Sequence, residues 1–385
     1  MTRHGVAAGA CLAGYEGPRA QSEEEWPAVA ELGRSIFFPK GRTYQEGARI
    51  WPIHDDARAN SLSMFYAGQP VSNVMRLVRD ILVRGHRLRL GYVGGVCTHP
   101  EHRGKGLASI VLEASFERLR REDVDFAYIS GDRGLYFHAG ANYAGTARRY
   151  RLEPGTLAVE GPGVQLRVAR REEAPLLATL AGGEGTRVVR PLDDFALVLG
   201  AGHCAGRPCR FEVVEWQREP LGYLLVGGPW EADEGQEVVE FAGERLALLS
   251  ALALLSRGGS LWLDVPHDDP LEGLLRTAGA RGQVARGGGT FKLLDFGRTL
   301  RKLAPYFQER LERELRLEVV SGGGRHVAWS GADVLQVESE DQALWLLLGR
   351  RPDAESAGVC ATGVFAEVLR TCLPLPLPSL YLNMI

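Results

Sequence analysis

A short junction at residues 99–108, HPEHRGKGLA, constrains the fold of this chain more than any other segment. It follows an apolar run, RLRLGYVGGVCT, and leads into LASIVLEASFERLR, whose polar residues fall on one face of a helix. The apolar run indicates a strand, and its Gly94–Gly95 pair indicates a bulge or a close backbone approach. The sequence therefore predicts a strand, a glycine-containing turn and a helix in immediate succession.

The residues of this junction suit a ligand that carries phosphate. The N-terminus of a helix exposes unpaired N–H groups and carries the positive end of the helix dipole. Gly104 and Gly106 would let those amides approach a pyrophosphate closely, and Arg103 and Lys105 would add positive charge. The RxxGxA spacing alone is a weak signal, because it recurs by chance and also fits a basic helix cap.

Length and composition limit the number of domains and the classes of partner that the chain can have. At 385 residues the chain is too long for one ordinary core, so two or three domains are expected. The formal net charge of −3 gives no sequence-wide basic field for nucleic acid. No apolar run approaches the roughly 18 residues of a membrane span, so no membrane partner is expected and the predicted location is cytoplasmic. The six cysteines form no CxxC motif and are expected to be reduced.

The predicted elements fall into three successive regions. Residues 1–153 combine a helix, a strand pair, the junction, a buried strand and a short helix, GLYFHAG, closed by Gly140. Residues 154–294 repeat this order, which indicates a degenerate internal duplication, but AGERLALLS stands where the junction would be. Residues 295–385 contain a helix, a hairpin and further helices before the apolar tail LPLPLPSLYLNMI, for which burial is expected.

This ordered set of segments resembles the GNAT acyltransferase superfamily. The resemblance rests on V-C-T at 96–98, R-G-K-G-L-A at 103–108, the helix and strand that follow, and the LYFHAG segment. The three-region organisation is similar to that of the enhanced intracellular survival (Eis) family. It implies an α/β (α+β) fold: a GNAT domain with a central mixed sheet at 1–153, a degenerate GNAT-like domain at 154–294 and a sterol-carrier-like domain at 295–385.

The resemblance also implies a set of site residues. Tyr136, four residues before Gly140, would be the general acid that protonates the leaving thiolate, and the terminal carboxylate of Ile385 would be the general base. Acetyl-coenzyme A would lie against Val96, Cys97, Thr98, Arg103, Gly104, Lys105, Gly106, Leu107, Ala108, Ser109, Gly131 and Asp132. No metal is expected. The chain ends in YLNMI where the best-known members end in an aromatic residue, so the acceptor pocket does not carry over.

The implied activity is that of an N-acetyltransferase, which moves an acetyl group from acetyl-coenzyme A to a primary amine of a small molecule or protein by direct attack. A carboxylate can accept the ammonium proton, and a phenol of pKa about 10 can donate to a thiolate of pKa about 8.5. The resemblance implies a homo-oligomer, with a trimer-of-dimers hexamer as the expected form. The alternative is a non-catalytic protein that binds acyl-coenzyme A or an apolar ligand.

Neighbouring side chains leave alternatives open. His138 and Tyr143 are second choices for the proton-transfer roles. His99 and His102 stand three apart and could hold a metal, but no third ligand is evident in the sequence, and solvent-facing histidines are expected. Cys97 borders the expected thioester site and is expected to serve only as a strand residue, because the chemistry is direct transfer.

Overall fold

A computed structural model describes residues 13–37, 55–159, 163–204, 207–228, 235–286, 288–349 and 359–380. The helices in these ranges are α1 (Trp26–Phe37), α2 (Asp55–Ala59), α3 (Leu107–Arg121), α4 (Gly134–His138), α5 (Ala174–Gly182), α6 (Leu192–Ala201), α7 (Arg245–Leu255), α8 (Pro270–Thr277), α9 (Phe296–Leu311), α10 (Glu340–Leu348) and α11 (Gly363–Thr371). None of these helices has both the length and the apolar character that a membrane crossing requires.

The strands of the described ranges are β1 (Tyr15–Arg19), β2 (Leu62–Tyr66), β3 (Gln69–Val83), β4 (His86–Thr98), β5 (Phe126–Ile129), β6 (Thr146–Leu152), β7 (Gln165–Val168), β8 (Arg187–Val189), β9 (His203–Cys204), β10 (Arg207–Trp216), β11 (Glu219–Gly227), β12 (Gln236–Gly243), β13 (Leu261–Pro266), β14 (Gly282–Arg286), β15 (Thr290–Leu293), β16 (Glu318–Gly322), β17 (Arg325–Ser330), β18 (Asp333–Val337) and β19 (Val359–Ala361). They form three sheets, two of them mixed, and the predicted α/β class is confirmed.

The first sheet has the order β1-β2-β3-β4-β5-β15, and β8 pairs with the end of β3. Its parallel pair, β4 and β5, is connected by α3, and the other neighbours are antiparallel. The bulge expected in β4 is confirmed. Asn73 faces Cys97, whereas Met75 faces Gly94, so β4 holds one extra residue between these pairs, and Gly95 has a φ of 57°.

The second sheet has the order β14-β6-β13-β12-β11-β10-β7. Its parallel pair, β12 and β13, is connected by α7, just as α3 connects β4 to β5. The two sheets exchange a strand. β6, which follows α4 along the chain, pairs with β13 of the second sheet, and β15 returns after β14 to pair with β5 of the first.

Apolar cores cover both faces of the first sheet. One face packs against α3 through a cluster that includes Val93, Leu112 and Phe116. The other face shares a continuous cluster with α9, the third sheet (β16 to β19), α10 and α11. Leu375 and Leu380 of the tail are 2% and 8% exposed and belong to that cluster, so the expected burial of the tail is confirmed for its described part.

A buried carboxylate links the first sheet to α9. Asp125 immediately precedes β5 and is fully buried. Its Oδ2 accepts hydrogen bonds from the backbone N–H of Arg89 and from Nζ of Lys302, each at 2.8 Å. The hydroxyl of Thr299 donates to Oδ1 at 3.3 Å, and Nε of Arg298 lies 3.7 Å from the same oxygen. Because Arg298, Thr299 and Lys302 all belong to α9, one negative charge joins the third region to the first.

We expect Asp125→Asn to lower the free energy of unfolding by about 3 kcal/mol, the low end of the range for breaking a buried ion pair, because both cations are partly exposed. Urea denaturation would measure this loss. The matched control is Asp123→Asn, which removes a carboxylate that is 71% exposed and also paired with Arg298, and should change the value by less than about 0.5 kcal/mol. Equal unfolding midpoints for the two variants would contradict the assignment of Asp125 as the link.

Candidate active site

The strands β4 and β5 separate at one end of the first sheet. Their parallel pairing runs from Leu90–Phe126 to Val93–Ile129, although β4 continues to Thr98. The N–H of Ser130 donates to the carbonyl of Val93 at 3.3 Å and marks the end of this contact. Beyond it the two strands leave an opening, bordered by the bulge of β4. The opening offers space in which a thioester could lie against main-chain groups.

The junction forms a tight turn and the N-terminus of α3. Gly104 and Gly106 have φ values of 77° and 76°, which favour glycine. A Cβ atom at either position would meet no atom within 4 Å, so the turn faces open space. No side chain caps the helix at Gly106. The first N–H groups of this 15-residue helix therefore have no side-chain cap and can donate to an anion.

The turn borders a recess of about 240 Å³, which is lined by Thr98, His102, Arg103, Gly104, Gly106, Leu107, Ala108 and Ser109. Arg103, Lys105 and Ser109 are exposed at this end of the sheet, whereas Leu107 is buried and anchors the helix. Nε of Arg103 donates to the carbonyl of Thr98 at 3.2 Å, so its guanidinium is held beside the end of β4. The structure thus brings the predicted loop residues and the end of β4 around one cavity.

Two aromatic residues support this loop from outside the predicted set. Nζ of Lys105 donates to the hydroxyl oxygen of Tyr15 at 2.7 Å, and that hydroxyl shares a 2.8 Å hydrogen bond with Nδ1 of His102. Burial, followed by the charges of Lys105 and His99, lowers the pKa of His102. Tyr15 is 90 residues from Lys105, and no local spacing in the sequence could have linked them.

A possible third ligand accompanies the two histidines of the junction. His99, Glu101 and His102 each bring one ligand atom within 4.8 Å of the others, because Pro100–His102 forms a 3₁₀ turn. The structure therefore places beside the pair a third potential ligand that was not evident in the sequence. The ammonium of Lys105 lies on the same hydroxyl group as His102 and would oppose a cation there. That no metal is needed stays a prediction.

The short helix α4 carries Tyr136 into the same region. The side chain is 5% exposed and shares an apolar cluster with Val96 of β4 and Leu107 of α3. A Cβ atom at Gly131 would lie 3.0 Å from the Tyr136 ring, so this glycine gives the ring its space. The predicted Tyr136, Gly131, Val96 and Leu107 therefore meet at the opening between β4 and β5.

The surroundings of Tyr136 keep its hydroxyl protonated. Burial raises the pKa of Tyr136, with smaller contributions in the same direction from Cys97 and Asp132, while Arg133 acts in the opposite direction. A phenol whose pKa lies above its ordinary value remains a proton donor at neutral pH. Burial also raises the pKa of the Cys97 thiol to about 12, so Cys97 is protonated and unsuited to act as a nucleophile.

The alternative residues of this segment are engaged elsewhere. Nδ1 of His138, which is exposed, lies 2.6 Å from the carbonyl of Gly134 one helical turn earlier. The hydroxyl of Tyr143 donates to Oδ2 of Asp132 at 3.0 Å, so this tyrosine orients a predicted coenzyme contact. Of the three alternatives, Tyr136 is the one whose side chain enters the cluster beside Val96.

Ile385, the predicted base, lies outside the described residues. The tail is described as far as Leu380 and passes between the first two sheets. Leu377 approaches Gly145 and lines a cavity of about 130 Å³ together with Tyr128 and Phe291 of the first sheet. The hydroxyl of Ser379 donates to the carbonyl of Val239 in β12 at 2.6 Å.

In the second region a carboxylate of the chain lies beside the residue that leads into α7, where the first region has its open turn. Oε1 of Glu184 accepts the N–H of Gly243 at 2.7 Å, just before this helix. Arg245 donates to both Glu184 and Asp269, at distances of 2.6 to 2.9 Å. Acidic side chains of the chain itself therefore lie beside the entry to α7, although this helix has no side-chain cap.

Comparison with known proteins agrees with this geometry. Residues 18–143 match the family model described as acetyltransferase (GNAT) domain. No curated protein matches the chain by sequence.

Several solved structures share the fold. A GCN5-related N-acetyltransferase from Kribbella flavida has a TM-score of 0.64 at 20% identity and covers 94% of this chain and 97% of its own. Eis1 from Mycobacterium abscessus has a TM-score of 0.63 at 16% identity, with 95% and 98% covered. A GCN5-related N-acetyltransferase from Anabaena variabilis ATCC 29413 has a TM-score of 0.57 at 13% identity, with 91% and 85% covered.

The domain match and the structural similarity cover different parts of the chain. The matched range 18–143 contains the open turn, α3, the separating strands and Tyr136. The structural similarity, at 20% identity or less, concerns the fold and extends over at least nine-tenths of this chain in the three structures. Residues 18–143 therefore match an acetyltransferase (GNAT) domain, and the chain as a whole has the larger fold of these proteins.

Proposed function

We propose that this protein is an N-acetyltransferase that transfers an acetyl group from acetyl-coenzyme A to a primary amine. The observation that carries the proposal is the meeting of three features at one end of the first sheet. These features are the uncapped N-terminus of α3, the opening between β4 and β5, and the buried hydroxyl-bearing side chain of Tyr136. The domain match supports acetyl transfer in general, and the amine acceptor is part of the proposal.

The residues of the recess fit the phosphate groups of the coenzyme. Main-chain N–H groups from Gly104 to Ser109 can donate to the pyrophosphate, and no Cβ atom at Gly104 or Gly106 obstructs it. Arg103 and Lys105 add positive charge at the rim. The pantetheine arm would follow β4 at 96–98, and Gly131 and Asp132 would lie on its opposite side.

The proposed chemistry is one acyl transfer with two proton transfers. The amine nitrogen attacks the thioester carbonyl carbon, the new N–C bond forms, and the C–S bond breaks. Main-chain N–H groups beside the β4 bulge can stabilise the oxyanion that develops. Tyr136 gives its hydroxyl proton to the departing thiolate, and a base accepts the proton that the nitrogen, which attacks as the neutral amine, loses when the amide forms. Solvent then returns a proton to Tyr136.

For the base we propose the C-terminal carboxylate at Ile385, as the resemblance to the Eis family implies. The described tail supports this assignment, because Leu377 contacts the first sheet near Phe291, whose backbone pairs with Asn142. The five residues after Leu380 can span at most about 18 Å. This reach alone does not decide where the terminal carboxylate lies.

The resemblance to the Eis family also implies three further features, which we include in the proposal. They are the division into domains at 1–153, 154–294 and 295–385, the sterol-carrier-like character of the last domain, and a cytoplasmic homo-oligomer of hexameric form. The repeated parallel pair in the second sheet supports the tandem arrangement.

We expect one coenzyme to bind per chain, because AGERLALLS replaces the glycine turn in the second region and Glu184 lies beside the residue that leads into α7. Isothermal titration with acetyl-coenzyme A measures this stoichiometry. Gly106→Trp should weaken binding by roughly 100-fold or more, since it blocks several charge-assisted hydrogen bonds to phosphate. The control is Gly331→Trp in the third sheet, at another glycine of positive φ that faces open space. Two sites per chain, or equal affinities in both variants, would refute the assignment.

We expect Tyr136→Phe to slow thiol release from acetyl-coenzyme A by about 10²–10⁴-fold while coenzyme affinity holds, because the thiolate loses its proton donor. A thiol reagent would record the rate with a panel of primary amines. The raised pKa of Tyr136 also predicts that the acid is lost, and the rate falls, only at a pH above the ordinary titration range of a tyrosine. Tyr143→Phe serves as the comparison: it removes the hydroxyl that donates to Asp132, so it should change coenzyme affinity more than the rate at saturating coenzyme. The reverse ranking of the two variants would overturn the assignment.

We expect two glycines added after Ile385 to slow turnover by about 10²-fold, because they displace the carboxylate that accepts the proton. The measurement is the same thiol-release rate, with coenzyme affinity as a check on folding. Ile385→Leu keeps the terminal carboxylate and should keep the rate. Full activity in the extended variant would show that another group is the base.

A further inference from the structure

The helix that carries Tyr136 is too short to be stable alone. It contains five residues, Gly134–His138, well below the length at which an isolated helix persists in water. Its position must therefore come from contacts with the rest of the protein. The described contacts lead mainly to one strand, β15, which belongs to a part of the chain about 150 residues later.

Lys292 of β15 holds the end of this helix. Its Nζ donates to the carbonyl of Ala139, the C-cap residue, at 2.5 Å. A positive charge at this end stabilises a helix, because the unpaired carbonyls carry partial negative charge. The ammonium also lies 5.3 Å from the centre of the Phe116 ring in α3. One side chain thus joins α4, α3 and β15.

Thr290 of the same strand holds the start of the segment. Its hydroxyl donates to the carbonyl of Gly131 at 3.0 Å, and the residue is fully buried. Between these two side chains, Phe291 exchanges two backbone hydrogen bonds of 2.8 Å with Asn142. The strand therefore contacts this segment at three places: before α4, at the C-terminus of α4 and after α4.

The ammonium of Lys292 lies close to Gly140. A Cβ atom at Gly140 would lie 2.8 Å from Nζ, so the lysine depends on the glycine for its place. Arg is the rule in this chain, since only four of its 45 basic residues are lysines. An arginine at this position would place a longer, planar guanidinium against Gly140, where the compact ammonium now lies.

We infer that Lys292 is a positioning residue for Tyr136 and that Thr290 assists it from the other end of the segment. The inference rests on the proposed function, in which Tyr136 is the proton donor. A donor displaced by about 1 Å can lose 10²-fold in rate, so the grip of β15 on α4 controls the acid step without touching substrate. The predicted coenzyme loop at 103–109 belongs to other elements, so coenzyme affinity should not change.

A double-mutant cycle tests this inference on the full-length protein. The rate is thiol release from acetyl-coenzyme A, measured with an amine found by the panel and also with water as the acceptor. We expect Lys292→Met to lower kcat about tenfold or more with an unchanged coenzyme Kd. In a Tyr136→Phe background the same change should cost less than about twofold, because the group that it positions is gone. An equal loss in both backgrounds would overturn the inference.

Two conservative exchanges distinguish the position of the ammonium from its charge. Lys292→Arg keeps the charge but should lose rate as Lys292→Met does. Lys302→Arg makes the same exchange beside Asp125, where the side chain is 30% exposed, and should leave the rate unchanged. Full activity of Lys292→Arg would overturn the argument from shape. If Lys292→Met does not fold, Thr290→Val removes the other hydrogen bond in the same cycle.

Hydrogen exchange gives a readout that does not depend on any acceptor. We expect the amides of 134–142 to exchange about tenfold faster in Lys292→Met, because α4 loses the positive charge at its C-terminus. The amides of α3 should exchange at unchanged rates. Unchanged exchange in this segment would overturn the inference. If Tyr136→Phe alone keeps full activity, the proposed acid is wrong, and the exchange result still decides whether Lys292 holds α4.

Discussion

The pairing of β15 with β5 is the interaction on which the site depends. It runs from Thr290–Ile129 to Leu293–Phe126 and closes the edge of the first sheet on the side where β4 and β5 separate. The inner side chains of β15 add to the core that joins the first sheet to the third region. The strand thereby fixes the edge of the sheet, the segment that carries Tyr136 and the seam with α9.

Two helix N-termini in equivalent places have different surroundings in this fold. Gly104 and Gly106 face open space before α3, whereas Gly243, just before α7, donates its N–H to Glu184. Neither helix has a side-chain cap, so what distinguishes the second region is a carboxylate of the chain beside the entry to the helix. Arg245 ties the internal carboxylate to Asp269 and completes a network that leaves little reason for a second ligand there.

Local patterns in the sequence were enough to predict the elements near the site. The bulge at Gly95, the turn at Gly104 and Gly106, and the short helix closed by Gly140 all follow from glycine and strand signals within a few residues. The resemblance then assigned roles to Tyr136 and the loop, and the structure brings these residues together. Ile385 lies outside the described residues, so its role stays a prediction.

Contacts between distant segments could not be predicted in this way. No periodicity in the sequence reveals that β6 and β15 exchange sheets. A strand shows the same alternation of apolar and polar side chains whichever sheet edge it joins. The Tyr15–Lys105 contact and the carboxylates Asp125 and Glu184 depend on the same long-range geometry. A charged residue in an ordinary surface pattern gave no sign that it would be buried between regions.

The strand exchange also has a consequence for synthesis on the ribosome. Thr290 follows Gly131 by 159 residues, so the first sheet cannot close its edge until most of the chain has emerged. At about 5–20 residues per second this delay is roughly 8–30 s, during which β5 presents unpaired main-chain groups. The nascent chain therefore matures as one long unit, and the order in which its regions are made is not the order in which they are completed.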